Sequence, residues 1–152
     1  MTSETRPHVR ALFVSPRQGE PMQPRPQVLA RAEHGFDGDA HARPGGSRQV
    51  LLLDAETLAA LGVAPGALKE NITTESLDVP RLQPGTRLRV GSALLEITKE
   101  CKPCAFVNSV QPGLLEKIQD RRGMLARVVE GGPIQVGDSV QVEKTKSENR
   151  NS

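Results

Sequence analysis

Cys101 and Cys104, the only cysteines of the chain, share the string ITKECKPCAFVNS. A thiolate there is a nucleophile, a sulfur acceptor or a soft-metal ligand. The alternation Ala93, Leu95, Ile97 predicts a strand ending at Lys99. Pro103 pushes Lys102 out of helical geometry. Cys104 is therefore expected on a loop just past a strand, where a rigid scaffold presents reactive groups. Two site chemistries compete with a simple buried thiol. A redox pair needs its first Cys at a helix start in an α/β fold, and Pro103 with its β surroundings argues against that. A structural zinc site needs four ligands, and His8, His34 and His41 are distant and irregularly spaced. Beside them stands the bland reading of both thiols as small buried hydrophobes, stronger for Cys101 than for Cys104.

Other polar groups could serve such a thiol. In HGFDGDAHA, Asp37, Asp39 and His41 alternate, so an extended loop would point them the same way. They could orient a polar ligand or place a proton donor. Equally, Asp-Gly pairs make tight turns unaided. Arg43, Arg48, Lys69 and Arg127 are candidates for an anionic ligand, because Arg captures phosphate bidentately. The segment KENITTE, Lys69 to Glu75, offers Asn71, Thr73 and Thr74 in an extended stretch. No phosphate-cradling glycine loop of Walker type, dinucleotide fingerprint or His-Glu-x-x-His motif is present.

The elements that must position these groups are short. Strands are expected at Val9 to Val14, Gln49 to Leu53, Thr86 to Val90 and Ala93 to Lys99, the last two joined as a hairpin by Gly91-Ser92. Val28 to Ala32 fits strand or helical turn. Ser15 to Pro26 and Gly35 to Gly46 read as loops. Asp54 caps a helix Ala55 to Leu61 that Gly62 ends. Asn71 to Leu82 reads as short extended pieces. A second helix is expected from Pro112 or Gly113 to Arg121. Leu125 to Val129 and Ser139 to Val142 are expected to form a last hairpin through Gly131-Gly132-Pro133. About seven strands with two small helices make a mainly β chain, an antiparallel β-barrel with short helices on its rim.

Composition narrows the function. The 152 residues suit one domain, expected over 9–142, with a flexible 1–8 and a disordered polar tail 143–152. Aromatic residues are 2%, too few for base stacking, so no nucleic acid is expected. The 20 basic and 18 acidic residues are interspersed, as on an ordinary surface. No apolar run is long enough for a membrane span, and no secretory signal is visible, so a cytoplasmic protein and no membrane partner are expected.

Taken together the motifs resemble the MOSC domain family, named for the C-terminal domain of molybdenum-cofactor sulfurases. The resemblance runs in order through GFDGDAH, RQVLLLDAE, KENITTESLDV, GTRLRVGSALLEIT, CKPC and ARVVEGGPIQVGDSV, roughly Val9 to Val142. The chain looks like a small, stand-alone member. The resemblance implies a MOSC-type barrel and the molybdenum cofactor, a pterin dithiolene with a phosphate. It implies that Cys104 is the functional thiol, as metal ligand or sulfur acceptor. It assigns Arg48, Asn71, Thr73 and Arg127 to cofactor binding, and Asp39 and His41 to supporting roles in catalysis. Some relatives reduce N-hydroxylated compounds, a small-molecule substrate. Such a reaction would need electrons from a partner protein, because no flavin, haem or iron–sulfur motif is visible. The alternative is a non-enzymatic carrier receiving persulfide sulfur from a cysteine desulfurase. Pyridoxal phosphate, which sulfurases hold in a separate domain, is not expected in this chain.

Overall fold

Apolar residues recur at every second position along most of the chain's strands, so each strand presents one dry face. The computed structural model describes residues 6–17, 19–40, 42, 45–46, 49–101, 112–113, 116 and 123–143. Among these are eleven strands: β1 (His8–Val14), β2 (Gln23–Pro24), β3 (Gln27–Arg31), β4 (Gly35–Phe36), β5 (Val50–Asp54), β6 (Ile72–Glu75), β7 (Arg87–Val90), β8 (Ala93–Glu100), β9 (Met124–Glu130), β10 (Gly132–Gln135) and β11 (Val140–Glu143). The helix α1 (Ala55–Leu61) follows β5 directly, and a 3-10 turn spans Val79–Arg81.

Eight strands pair in the order β11-β7-β8-β9-β5-β6-β1-β2, and three more in the order β10-β3-β4. All pairings are antiparallel except β5 with β6. The fold is mainly β, as the sequence implies. Strand pairing does not close either sheet into a barrel. The two flanks of the larger sheet meet at one isolated bridge, His8 to Ser139. Val140 N–H donates to the Pro7 carbonyl and Val9 N–H to the Asp138 carbonyl, both near that bridge.

The inner faces pack one aliphatic core. Val9, Leu12, Leu52, Ile72, Leu88, Leu95, Ile97, Val128 and Ile134 are each almost wholly buried in it, with Phe36 as its aromatic member. Each such side chain stabilises the fold by roughly 1.5–3 kcal/mol. No helix among the described residues is long and apolar enough to cross a membrane.

α1 forms where its caps demand. Asp54 accepts from Thr57 N–H, and Gly62 adopts φ 77 beyond the last turn. Gly62 N–H donates to the Ala59 carbonyl and Val63 N–H to the Leu58 carbonyl, which closes the helix end. The α1 crossover lets β6 return parallel to β5.

The expected last hairpin does not form. After β9 the chain leaves the large sheet, and β10 pairs with β3 while β11 pairs with β7. The run Gly131-Gly132-Pro133 is a corner between sheets. A Cβ on Gly131 would stand 2.7 Å from the Ala30 carbonyl oxygen, so only glycine lets β9 hand over to β10 against β3. Alternation reveals a strand but not its partner. The segment expected as strand or helical turn over Val28 to Ala32 is strand through Arg31, as β3, and both expected loops hold two-residue strands, β2 and β4. Most of the expected second helix lies outside the described residues, as does the expected tail 143–152 apart from Glu143, which ends β11.

Candidate functional site

Asn71 stands where β6 begins, and its amide ties three segments together. Its Oδ1 accepts from Leu51 N–H at 3.0 Å. Its Nδ2 donates to the Phe13 carbonyl at 3.2 Å and to Asp39 Oδ2 at 3.2 Å. Its backbone repeats the pattern, donating to the Leu51 carbonyl and accepting from Phe13 N–H. The residue is buried, and both amide hydrogens are committed to the protein.

Asp39 is also buried, and its Oδ1 accepts from Ser15 N–H at 2.8 Å. Ala40 N–H donates to the Ser15 carbonyl, so the loop after β4 is fastened to the end of β1. Two sequence motifs thus meet through one buried carboxylate–amide contact. Asp37 does not join Asp39. It faces solvent and pairs with Arg31 at 3.1 Å, because a turn between the two aspartates breaks the expected alternation.

Thr73 lies on β6 with its side chain opposite the core-facing Ile72. Its hydroxyl donates to Glu70 Oε2 at 2.9 Å, and Gly66 N–H reaches the same oxygen at 2.7 Å. Glu70 is fully buried, and its Oε1 has no hydrogen-bond partner. Burial pushes this carboxyl above its ordinary range, against the hydrogen bonds from Gly66 and Thr73. Glu70 escaped the sequence reading, since an acid between Lys69 and Asn71 carries no mark of burial. Lys69 and Ser76, which flank this segment, both hold left-handed backbone at φ 66.

Arg127 is on β9 between the core residues Ala126 and Val128, so its guanidinium points to the opposite face. It pairs there with Glu33 and with Glu96, the latter at 3.2 Å. Two carboxylates already compensate its charge. Arg87 shares Glu96 at 3.2 Å. The structure therefore joins Asp39 to Asn71 and Thr73 to Glu70, while Arg127 belongs to a surface ion-pair network.

Cys101 follows β8 directly, half-buried, with its N–H donating to the Gly123 carbonyl at 2.9 Å. Cys104, His41, Arg48 and Arg43 lie outside the described residues. Among the described residues no cluster of His, Cys, Asp or Glu could hold a metal ion.

At the far ends of β5 and β6 lies a cavity of about 650 Å³ lined by Asp54, Glu56, Thr57, Ser76, Leu77, Asp78, Pro80 and Arg81. Asp54 caps α1 through Oδ2, which accepts from both Thr57 N–H and Thr57 Oγ1. Burial raises the Asp54 carboxyl, and the Thr57 hydrogen bonds oppose this.

The MOSC domain model matches residues 34–141. No curated protein matches the sequence. Among solved structures, YiiM from Geobacillus stearothermophilus is similar at a TM-score of 0.75 and 17% identity, over 91% of this chain and 75% of that one. The YuaD protein from Bacillus subtilis gives 0.76 at 18% identity, over 90% and 94%. YiiM from Escherichia coli gives 0.66 at 21% identity, over 90% and 69%. At these identities the likeness is one of fold.

Proposed function

The chain belongs to the MOSC domain family, and from that membership we propose that it binds the molybdenum cofactor, with Cys104 as the thiol that ligates the metal or accepts sulfur. One observation supports the reading most. Asp39 and Asn71, from two separate motifs, meet at a buried 3.2 Å contact beside the end of β1. When bound, the group supplies a redox-active metal on a pterin dithiolene bearing a phosphate.

The donors present fit that group in kind. A carboxylate oxygen accepts more than one hydrogen bond, so Asp39 can take an N–H of the pterin edge while holding Asn71. Asn71 then acts as the strut that fixes Asp39, and Thr73 contributes a hydroxyl aimed by Glu70. Arg48 is the arginine we assign to the phosphate. Arg127 keeps a share in our reading only if Glu33 and Glu96 release it. His41, near neutral in its ordinary pKa, would carry a proton. We also read the His8–Ser139 bridge as the seam of a MOSC-type barrel. A cytoplasmic location, an electron-transfer partner and reduction of an N-hydroxylated small molecule complete the proposal.

The test is metal and pterin content after anaerobic purification from a host that makes the cofactor. We expect near-stoichiometric molybdenum, lost in Cys104→Ala, reduced in Arg48→Ala and retained in Arg127→Ala. Absence of molybdenum from the unsubstituted chain would overturn cofactor binding. The second reading, a sulfur carrier, then predicts one added sulfur on Cys104 after turnover with a cysteine desulfurase, read by mass spectrometry.

A further inference from the structure

We propose that the cavity at the carboxyl ends of β5 and β6 binds a small organic cation with N–H donors, an ammonium or guanidinium group, seated on Asp54. The site is distinct from the Asp39–Asn71 contact. Asn71 stands at the start of β6, whereas Ser76 of the cavity wall follows its last residue. Because β5 and β6 run parallel, Asp54 and Ser76 share the opposite end of the pair.

Size and charge fit a small cation. A volume of about 650 Å³ is in the range that holds small molecules. The wall carries three carboxylates, Asp54, Glu56 and Asp78, against one cation, Arg81. Arg81 is already paired with Asp78 at 3.3 Å. Glu56 Oε2 accepts only a backbone hydrogen bond, from Ser76 N–H at 2.8 Å. An anion would meet net negative charge here. A bare metal ion would lack a ligand cluster among the described residues.

The independent observation is a pair of orphaned buried oxygens. Asp54 is 4% exposed, and its Oδ2 is used by Thr57 while its Oδ1 has no partner. Thr74, fully buried, is the register partner of Asp54 on β6, and its Oγ1 is unpartnered too. Paired residues on adjacent strands share a face about 5 Å apart. Of the two, Asp54 lines the cavity, so its Oδ1 is the oxygen that a ligand N–H would meet there. A buried acceptor left without a donor costs stability, and a ligand N–H removes that cost.

The probe is methylguanidinium chloride, titrated into the full-length chain and followed by amide NMR shifts against equal sodium chloride. Saturable shifts at Thr57, Ser76 and Asp78 are expected, with a Kd on the order of 1 mM or tighter. Asp54→Asn keeps a capping acceptor for Thr57 and should weaken binding about tenfold or more, the loss expected when a desolvated charge partner is removed. Glu56→Gln, which keeps an acceptor for Ser76 N–H, should weaken it about threefold and serves if the Asn variant fails to fold. N-methylurea, neutral and similar in shape, should not bind. Equal binding of N-methylurea, undiminished binding by the variants, or a linear drift matching sodium chloride would each overturn the proposal; the last would leave a water-filled cleft. Molybdenum content is a separate readout, so failure here leaves cofactor binding untouched.

Discussion

Asn71 connects β1, β5 and the Asp39 loop with one side chain. Asn71→Ala removes three hydrogen bonds and strands buried donors and acceptors, which should cost about 3 kcal/mol. The check is a lower urea midpoint at unchanged slope. Glu70 gives a pH signature. Burial raises its folded pKa above the ordinary 4.5, so between those two values the folded state binds more protons than the unfolded one. Its contribution is fully present below 4.5 and is lost as pH rises through the folded value. Glu70→Gln keeps an acceptor for Gly66 and Thr73 and removes the titration. Stability of the variant relative to the parent should therefore improve between pH 4.5 and 7 in paired urea melts. A constant difference across that range would refute the raised pKa.

At the scale of elements, α1 depends on its two caps. Gly62→Ala forces a Cβ into left-handed backbone and should cost about 1 kcal/mol, read from a thermal or urea melt. α1 and the β7–β8 hairpin were legible in the sequence because their signals are local: Asp54 and Gly62 for one, Gly91-Ser92 for the other. The partners of β10 and β11 were not, because β3 and β7 are remote in sequence and the Gly131 approach to Ala30 leaves no local trace. The candidate site divides in the same way. The family resemblance singled out Asp39, Asn71 and Thr73, but their contacts depend on which strands pair. Arg127 read as a phosphate ligand because nothing near it in sequence announces Glu33 and Glu96 as its partners. Glu70 and Asp54 were passed over as ligand groups because burial of a polar atom is a property of the assembled sheets.

For the whole molecule, the parallel β5–β6 pair sits in the middle of an otherwise antiparallel large sheet, so a long crossover must close before the core is complete. Such non-local pairing slows folding relative to hairpins. Two flanks of the sheet that are remote in sequence meet in space: Pro7 and His8 sit beside Ser139 and Val140. Chain order is thus not dictated by the architecture. A circular permutant that joins residue 152 to residue 1 and opens in the exposed loop at Gly19, where no neighbour stands within 4 Å of a glycine Cβ, should fold to the same sheets and unfold in one transition. Circular dichroism and urea melts would show it. The domain in its own chain order could equally be spliced into a surface loop of another protein, entering and leaving at the β1–β11 seam.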